Sequence, residues 1–85
     1  MARTFYAIEA GDVRMISNGY TFIAGTKGAF DAVSATWTPA QRAAYDEAVT
    51  QLNRWIAERD VLPACRAAAS VLESAFGPAT VREAR

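Results

Sequence analysis

Apolar and polar residues alternate with two different periods along this chain. Over roughly the first 24 residues the pattern is short and strand-like. From Pro39 onward the apolar positions recur at helical spacing. The early part predicts strands over residues 4–10 (Thr-Phe-Tyr-Ala-Ile-Glu-Ala), 13–17 (Val-Arg-Met-Ile-Ser) and 20–24 (Tyr-Thr-Phe-Ile-Ala). Gly11-Asp12 separates the first two and Asn18-Gly19 the last two. Asn-Gly is a strong short hairpin signal, because a type I′ turn needs positive φ at both central residues. With a two-residue Asn18-Gly19 loop, Ser17 faces Tyr20, Met15 faces Phe22 and Val13 faces Ala24. Side chains alternate across a pleat, so Tyr6, Ile8, Val13, Met15, Tyr20 and Phe22 share one apolar face. Phe5, Ala7, Arg14, Ile16, Thr21 and Ile23 form the other face, which is mixed and too apolar for a fully solvated one.

The later part predicts two helices. Thr38 is a suitable N-cap, Pro39 suits the first helical position, and Gln41 stands at capping-box distance from Thr38. Position 42 is arginine, so Trp37 has no apolar staple partner. It is expected to cover the Arg42 stem or meet its guanidinium through a cation–π contact. Tyr45, Ala48, Val49, Leu52, Trp55 and Ile56 then make one apolar stripe of a helix over about 39–59, with Glu47, Gln51, Arg54 and Glu58 on the opposite side. The preference of a residue before proline for extended backbone sets a break near Val61-Leu62, with Asp60 as a candidate cap. A second helix follows over about 62–76, striped by Leu62, Cys65, Ala68, Ala69, Leu72, Ala75 and Phe76. Gly77-Pro78 ends it. Residues 29–35 fit a short helix, with Phe30 and Val33 inward, about as well as a loop. The tail, 79–85, has no pattern and reads as loose.

Three strands followed by two helices give an α+β fold, a three-stranded antiparallel β-meander packed on one face by the two C-terminal helices. Eighty-five residues make a single domain. A chain of this size buries only about 60–65% of its unfolded surface, so the core is small. Hydrophobic residues are 52% of the chain, enough to argue against disorder.

Charge and chemistry narrow the functional classes. Nine basic residues balance nine acidic ones and there is no histidine. Zero net charge removes the long-range attraction that nucleic acid or an anionic membrane requires, and the basic residues are dispersed singly. Without histidine the usual general base is missing. One cysteine, Cys65, cannot form an intrachain disulfide, and with no histidine a zinc cluster is not expected. Cys65 lies on an apolar stripe and reads as a small buried hydrophobe. Asp46 and Glu47 are adjacent on a helix, so their carboxylates diverge and read as solvated surface. Gly25-Thr-Lys-Gly28 lacks both the Walker and the GxGxxG patterns and reads as a plain connection. No apolar run approaches the roughly 20 residues of a membrane span, and the N-terminal stretch has no apolar signal core, so a cytoplasmic, non-membrane protein is expected. Catalytic residues, cofactor and metal are all read as none.

The outer sheet face carries the functional signal. A connected apolar patch on a small domain usually binds something, and interface centres favour aromatics and arginine. Phe5, Arg14, Ile16 and Ile23 are the contact candidates there, with Trp37 near the helix start. In size, absence of catalytic groups, single α+β domain and expected cytoplasmic character, the chain resembles small phage-encoded inhibitors of bacterial defence, the anti-CRISPR type. No motif carries this resemblance and it transfers no residues. It implies a steric mechanism, in which the domain blocks a channel or assembly surface of a Cas protein or complex. Asp46 and Glu47 would then be candidates for basic pockets on that target, and Arg54 completes the candidate set on the helix's outer row. Two alternatives differ in class. One is a homo-oligomeric structural or assembly protein of phage or bacterial origin, pairing through the outer sheet face. The other is a nucleic-acid-binding regulator using Phe5 and Arg14, disfavoured by the zero net charge. An enzyme fits least.

Overall fold

The computed structural model describes residues 4–54 and 61–84. The architecture is α+β. Strands β1 (Phe5–Ala10), β2 (Val13–Ser17) and β3 (Phe22–Thr26) come first, followed by helices α1 (Phe30–Ser34), α2 (Pro39–Arg54) and α3 (Leu62–Phe76), and then strand β4 (Ala79–Ala84). The strands form one antiparallel sheet in the order β3-β2-β1-β4. The meander and both long helices match the sequence reading, and the short segment after Gly28 is helical. Four expectations fall outside the described residues: Trp55 and Ile56 as core, Glu58 on the outer row, the end of α2 beyond Arg54, and Asp60 as a cap.

The tail is the main correction. Residues 79–84, read as patternless, form β4 along the free edge of β1, with Ala79 opposite Ala10 and Ala84 opposite Phe5. Gly77 makes this return possible. Its φ of 89° and ψ of −166° belong to a region that residues with a Cβ avoid, and its N–H donates to the Glu73 carbonyl at 3.3 Å. The chain leaves α3 there, and Pro78 prevents the helix from continuing.

The β2–β3 connection is the second correction. Ser17 pairs with Phe22, Ile16 with Ile23 and Met15 with Ala24, two residues away from the two-residue-loop register. Asn18 accounts for the difference. Its side-chain oxygen accepts from the backbone N–H of Tyr20 (3.0 Å) and of Thr21 (2.9 Å), while its own N–H donates to the Thr21 carbonyl (3.2 Å). This Asx-type bonding stabilises a four-residue loop over 18–21. A shift of two residues keeps the paired side chains on their faces, so the inner and outer sets survive except for Tyr20 and Thr21, which fall in the loop. Tyr20, expected on the inner face, is expelled into the loop and is 57% exposed.

The core lies between the inner sheet face and the helices. Ile8, Ala10, Val13 and Met15 from the sheet are buried with Tyr45, Ala48 and Leu52 of α2 and Ala64, Cys65, Ala68, Ala69 and Leu72 of α3. Buried alanines on both α2 and α3 remove side-chain bulk between the two helices, and α3 also packs on β1 and β4. Cys65 is fully buried and free, as its stripe position predicts. At the start of α2 the capping box is complete. The Gln41 N–H donates to Thr38 Oγ1 (3.2 Å), and the Thr38 N–H donates to Gln41 Oε1 (2.9 Å). Gln41 Nε2 also reaches the Ala75 carbonyl at 3.3 Å, tying the start of α2 to the end of α3.

Candidate functional site

Because α1, α2 and α3 all pack on the inner face, the outer face of the sheet has no described element over it. The β2–β3 register puts Ile16 directly opposite Ile23, and β4 adds Arg82 opposite Ala7. One row across all four strands therefore reads Arg82, Ala7, Ile16, Ile23. The next row reads Thr80, Glu9, Arg14, Gly25, and Phe5 opposite Ala84 lies beyond the first. Ile23 is 70% exposed and Phe5 41%, Arg14 is exposed and Ile16 half-buried. Four residues picked out by alternation are thus on one face, and the corrected register brings the two isoleucines closer than a two-residue loop would.

Ala7 is only 1% exposed although no described helix covers it. Its longer neighbours close over it and leave a depression of about 280 Å³, lined by Ala7, Arg14, Ile16, Arg82, Glu83 and Ala84. Glu83 borders it from the strand edge, since it pairs with Tyr6 in the helix-side row. Gly25 opposite Arg14 offers no side chain, and nothing lies within 4 Å of where its Cβ would be, so that flank of Arg14 is open.

The electrostatics centre on Glu9. Its carboxylate takes Arg82 Nη2 at 2.7 Å and Lys27 Nζ at 3.5 Å. Burial pulls the Glu9 carboxyl up, but Arg82, Lys27 and Arg14 together outweigh it and hold it below the usual carboxylate range. Among the described residues the Arg14 guanidinium has no ion-pair partner at contact distance. Three cations therefore surround one carboxylate on this face. Glu9, Lys27 and Arg82 were not picked out from sequence. Arg82 and Glu9 meet only through β4, and no local pattern announces that strand.

The other candidates lie elsewhere. Trp37 is half-buried in an aromatic cluster with Phe30 (5.8 Å between centroids), Tyr45 (5.1 Å) and Phe76 (5.2 Å), so it belongs to the packing of the helix layer rather than to the outer face. Arg42 stacks over Phe30 at 5.9 Å, where the sequence suggested Trp37. Burial, with Asp46 beside it, pushes the Tyr45 phenol above its usual range. Asp46, Glu47 and Arg54 are exposed on α2, and the Glu47 carboxylate accepts from Gln51 Nε2 at 2.9 Å. Gly25 lies within β3 and Gly28 in the connection to α1, and Thr26 Oγ1 donates to the Gly28 carbonyl at 2.6 Å, closing that loop on itself. Among the described residues no three metal-ligating side chains cluster, and no helix is long and apolar enough to cross a membrane. No family model, curated protein or solved structure matches the chain.

Proposed function

We propose that this chain is a non-catalytic protein-binding module whose contact surface is the outer face of the sheet. The observation that supports this is the exposure of Phe5 and Ile23, beside Ile16 and Arg14, on a face with no described element over it. Apolar side chains left in water with an arginine among them have the composition of an interface centre. Such a domain acts by occupying another protein's surface. The form we favour is an inhibitor that sterically blocks a larger bacterial defence complex of the CRISPR-Cas type, acting in the cytoplasm. Asp46, Glu47 and Arg54 on the opposite side of the molecule are secondary contacts in this reading.

Self-assembly through the same face is the less favoured alternative. A two-fold interface places each patch on its own copy, and here it would bring Arg14, Arg82 and Lys27 against themselves. A nucleic-acid regulator is disfavoured by one exposed aromatic on the face and a net charge of zero.

Two experiments test the reading. In the first, wild type, Ile23→Asp and Glu47→Lys serve as baits in a host carrying an active CRISPR system. A Cas component recovered by wild type and Glu47→Lys but lost with Ile23→Asp is the expected result. Recovery that ignores Ile23→Asp rules out the outer face. In the second, phage plating on that host is measured with and without the chain, and unchanged plating rules out the defence-inhibitor form.

A further inference from the structure

We propose that the outer face receives an amphipathic helix of the partner, with its apolar stripe on Phe5, Ile16 and Ile23 and a bordering carboxylate seated in the depression between Arg14 and Arg82. This rests on the outer face being the contact surface and adds the chemistry of what it contacts.

The charge inventory points to an acid. Glu9 is already shared between Arg82 and Lys27, and Arg14, next to it across the strands, has no ion-pair partner among the described residues. With Glu83 at the edge of the depression counted, the face still carries three cations, Arg14, Arg82 and Lys27, against two carboxylates, Glu9 and Glu83, and an incoming carboxylate completes it. Arg82 gives one N–H to Glu9 and keeps further donors of its planar fork. The shape also points to a side chain rather than a small ion. The depression has an apolar floor, Ala7 and Ile16, so an entering methylene stem is covered while its carboxylate stays at the arginine rim.

A helix suits this face better than an extended strand. A helix presents positions i, i+3, i+4 and i+7 on one side and satisfies its own backbone, whereas an extended strand laid on a sheet face would leave its N–H and C=O groups unpaired. A helix on the outer face also repeats what α3 does on the inner one, completing a three-layer sandwich. Phosphate of a nucleic acid is the less favoured occupant, because a strand of bases needs stacking platforms and among the described residues Phe5 is the one exposed aromatic there.

The test is an NMR titration of the full chain with three short helical peptides. Each carries the same leucine stripe, bordered by glutamate, glutamine or lysine. The glutamate peptide is expected to shift the amides of residues 5, 7, 14, 16, 23 and 82 and to bind about tenfold or more tightly than the other two. Arg14→Gln, at an exposed position, should cancel that advantage. Ala7→Leu, which fills the depression, should weaken the glutamate peptide and leave the glutamine peptide less affected. Equal binding of the glutamate and glutamine peptides on the outer face overturns the acid preference while leaving the contact-surface reading standing. Shifts confined to the helices, absence of binding by all three, or tighter binding of the lysine peptide overturns the inference. Tighter binding of a thymidine oligonucleotide on the same residues overturns both the inference and the protein-binding reading.

Discussion

Gly77 and Glu9 show what single residues contribute to this molecule. At Gly77 the backbone lies where only glycine is at ease, yet an added Cβ would meet nothing within 4 Å. Gly77→Ala therefore tests conformation with no steric clash and is expected to cost about 1–3 kcal/mol by chemical denaturation. An effect near zero would mean that the chain does not turn there as described. Glu9 makes the pH-dependent contribution. Its carboxyl titrates lower in the folded chain than in the unfolded one. Its stabilising effect is thus complete above the ordinary carboxylate value and is lost as pH falls through the lower folded value. The stability gap between wild type and Glu9→Gln should hold from neutral pH to about pH 5 and shrink below it. A gap that widens on acidification would contradict the ion-pair assignment.

At the scale of elements, what could be read from sequence was whatever is encoded locally. The capping box at Thr38 and Gln41, the glycine-proline stop after Phe76 and the strand alternation up to Ser17 each depend on residues within a few positions of one another, and each is present. Thr38→Ala should cost about 0.5–2 kcal/mol. Gln41→Ala should cost more than a cap alone, because Gln41 also holds the Ala75 carbonyl at the end of α3. Equal small losses would show that this tie is weak. What could not be read is equally physical. In β4, Thr80 and Val81 are the only strong strand formers among Ala, Arg and Glu, which strands disfavour, and the strand exists because Gly77 returns the chain to the free edge of β1. The β2–β3 register turned on one side chain, since Asn-Gly predicts a two-residue loop while the Asn18 oxygen stabilises a longer one. The candidate site shares this division. Phe5, Arg14, Ile16 and Ile23 followed from alternation, Arg82 and Glu9 met only through β4, and Trp37 moved to an aromatic cluster that draws on α1, α2 and α3.

For the whole molecule, the two faces of the sheet carry different duties. The inner face holds the fold, so Leu52→Ala, fully buried beneath it, should cost about 2–5 kcal/mol. The outer face is free of that task, so Ile23→Asp should change stability by less than about 0.5 kcal/mol at any protein concentration. A loss that grows as protein concentration rises would mean that copies of the chain cover the face.

The central claim is that the outer face stands open in the free protein. The most direct measurement is the relaxation of isoleucine methyl groups by a soluble paramagnetic agent at two protein concentrations. Strong, concentration-independent relaxation is expected for Ile23, an intermediate effect for Ile16 and protection for Ile8, which lies fully buried on the inner face. Protection of Ile23 equal to that of Ile8 would contradict the claim.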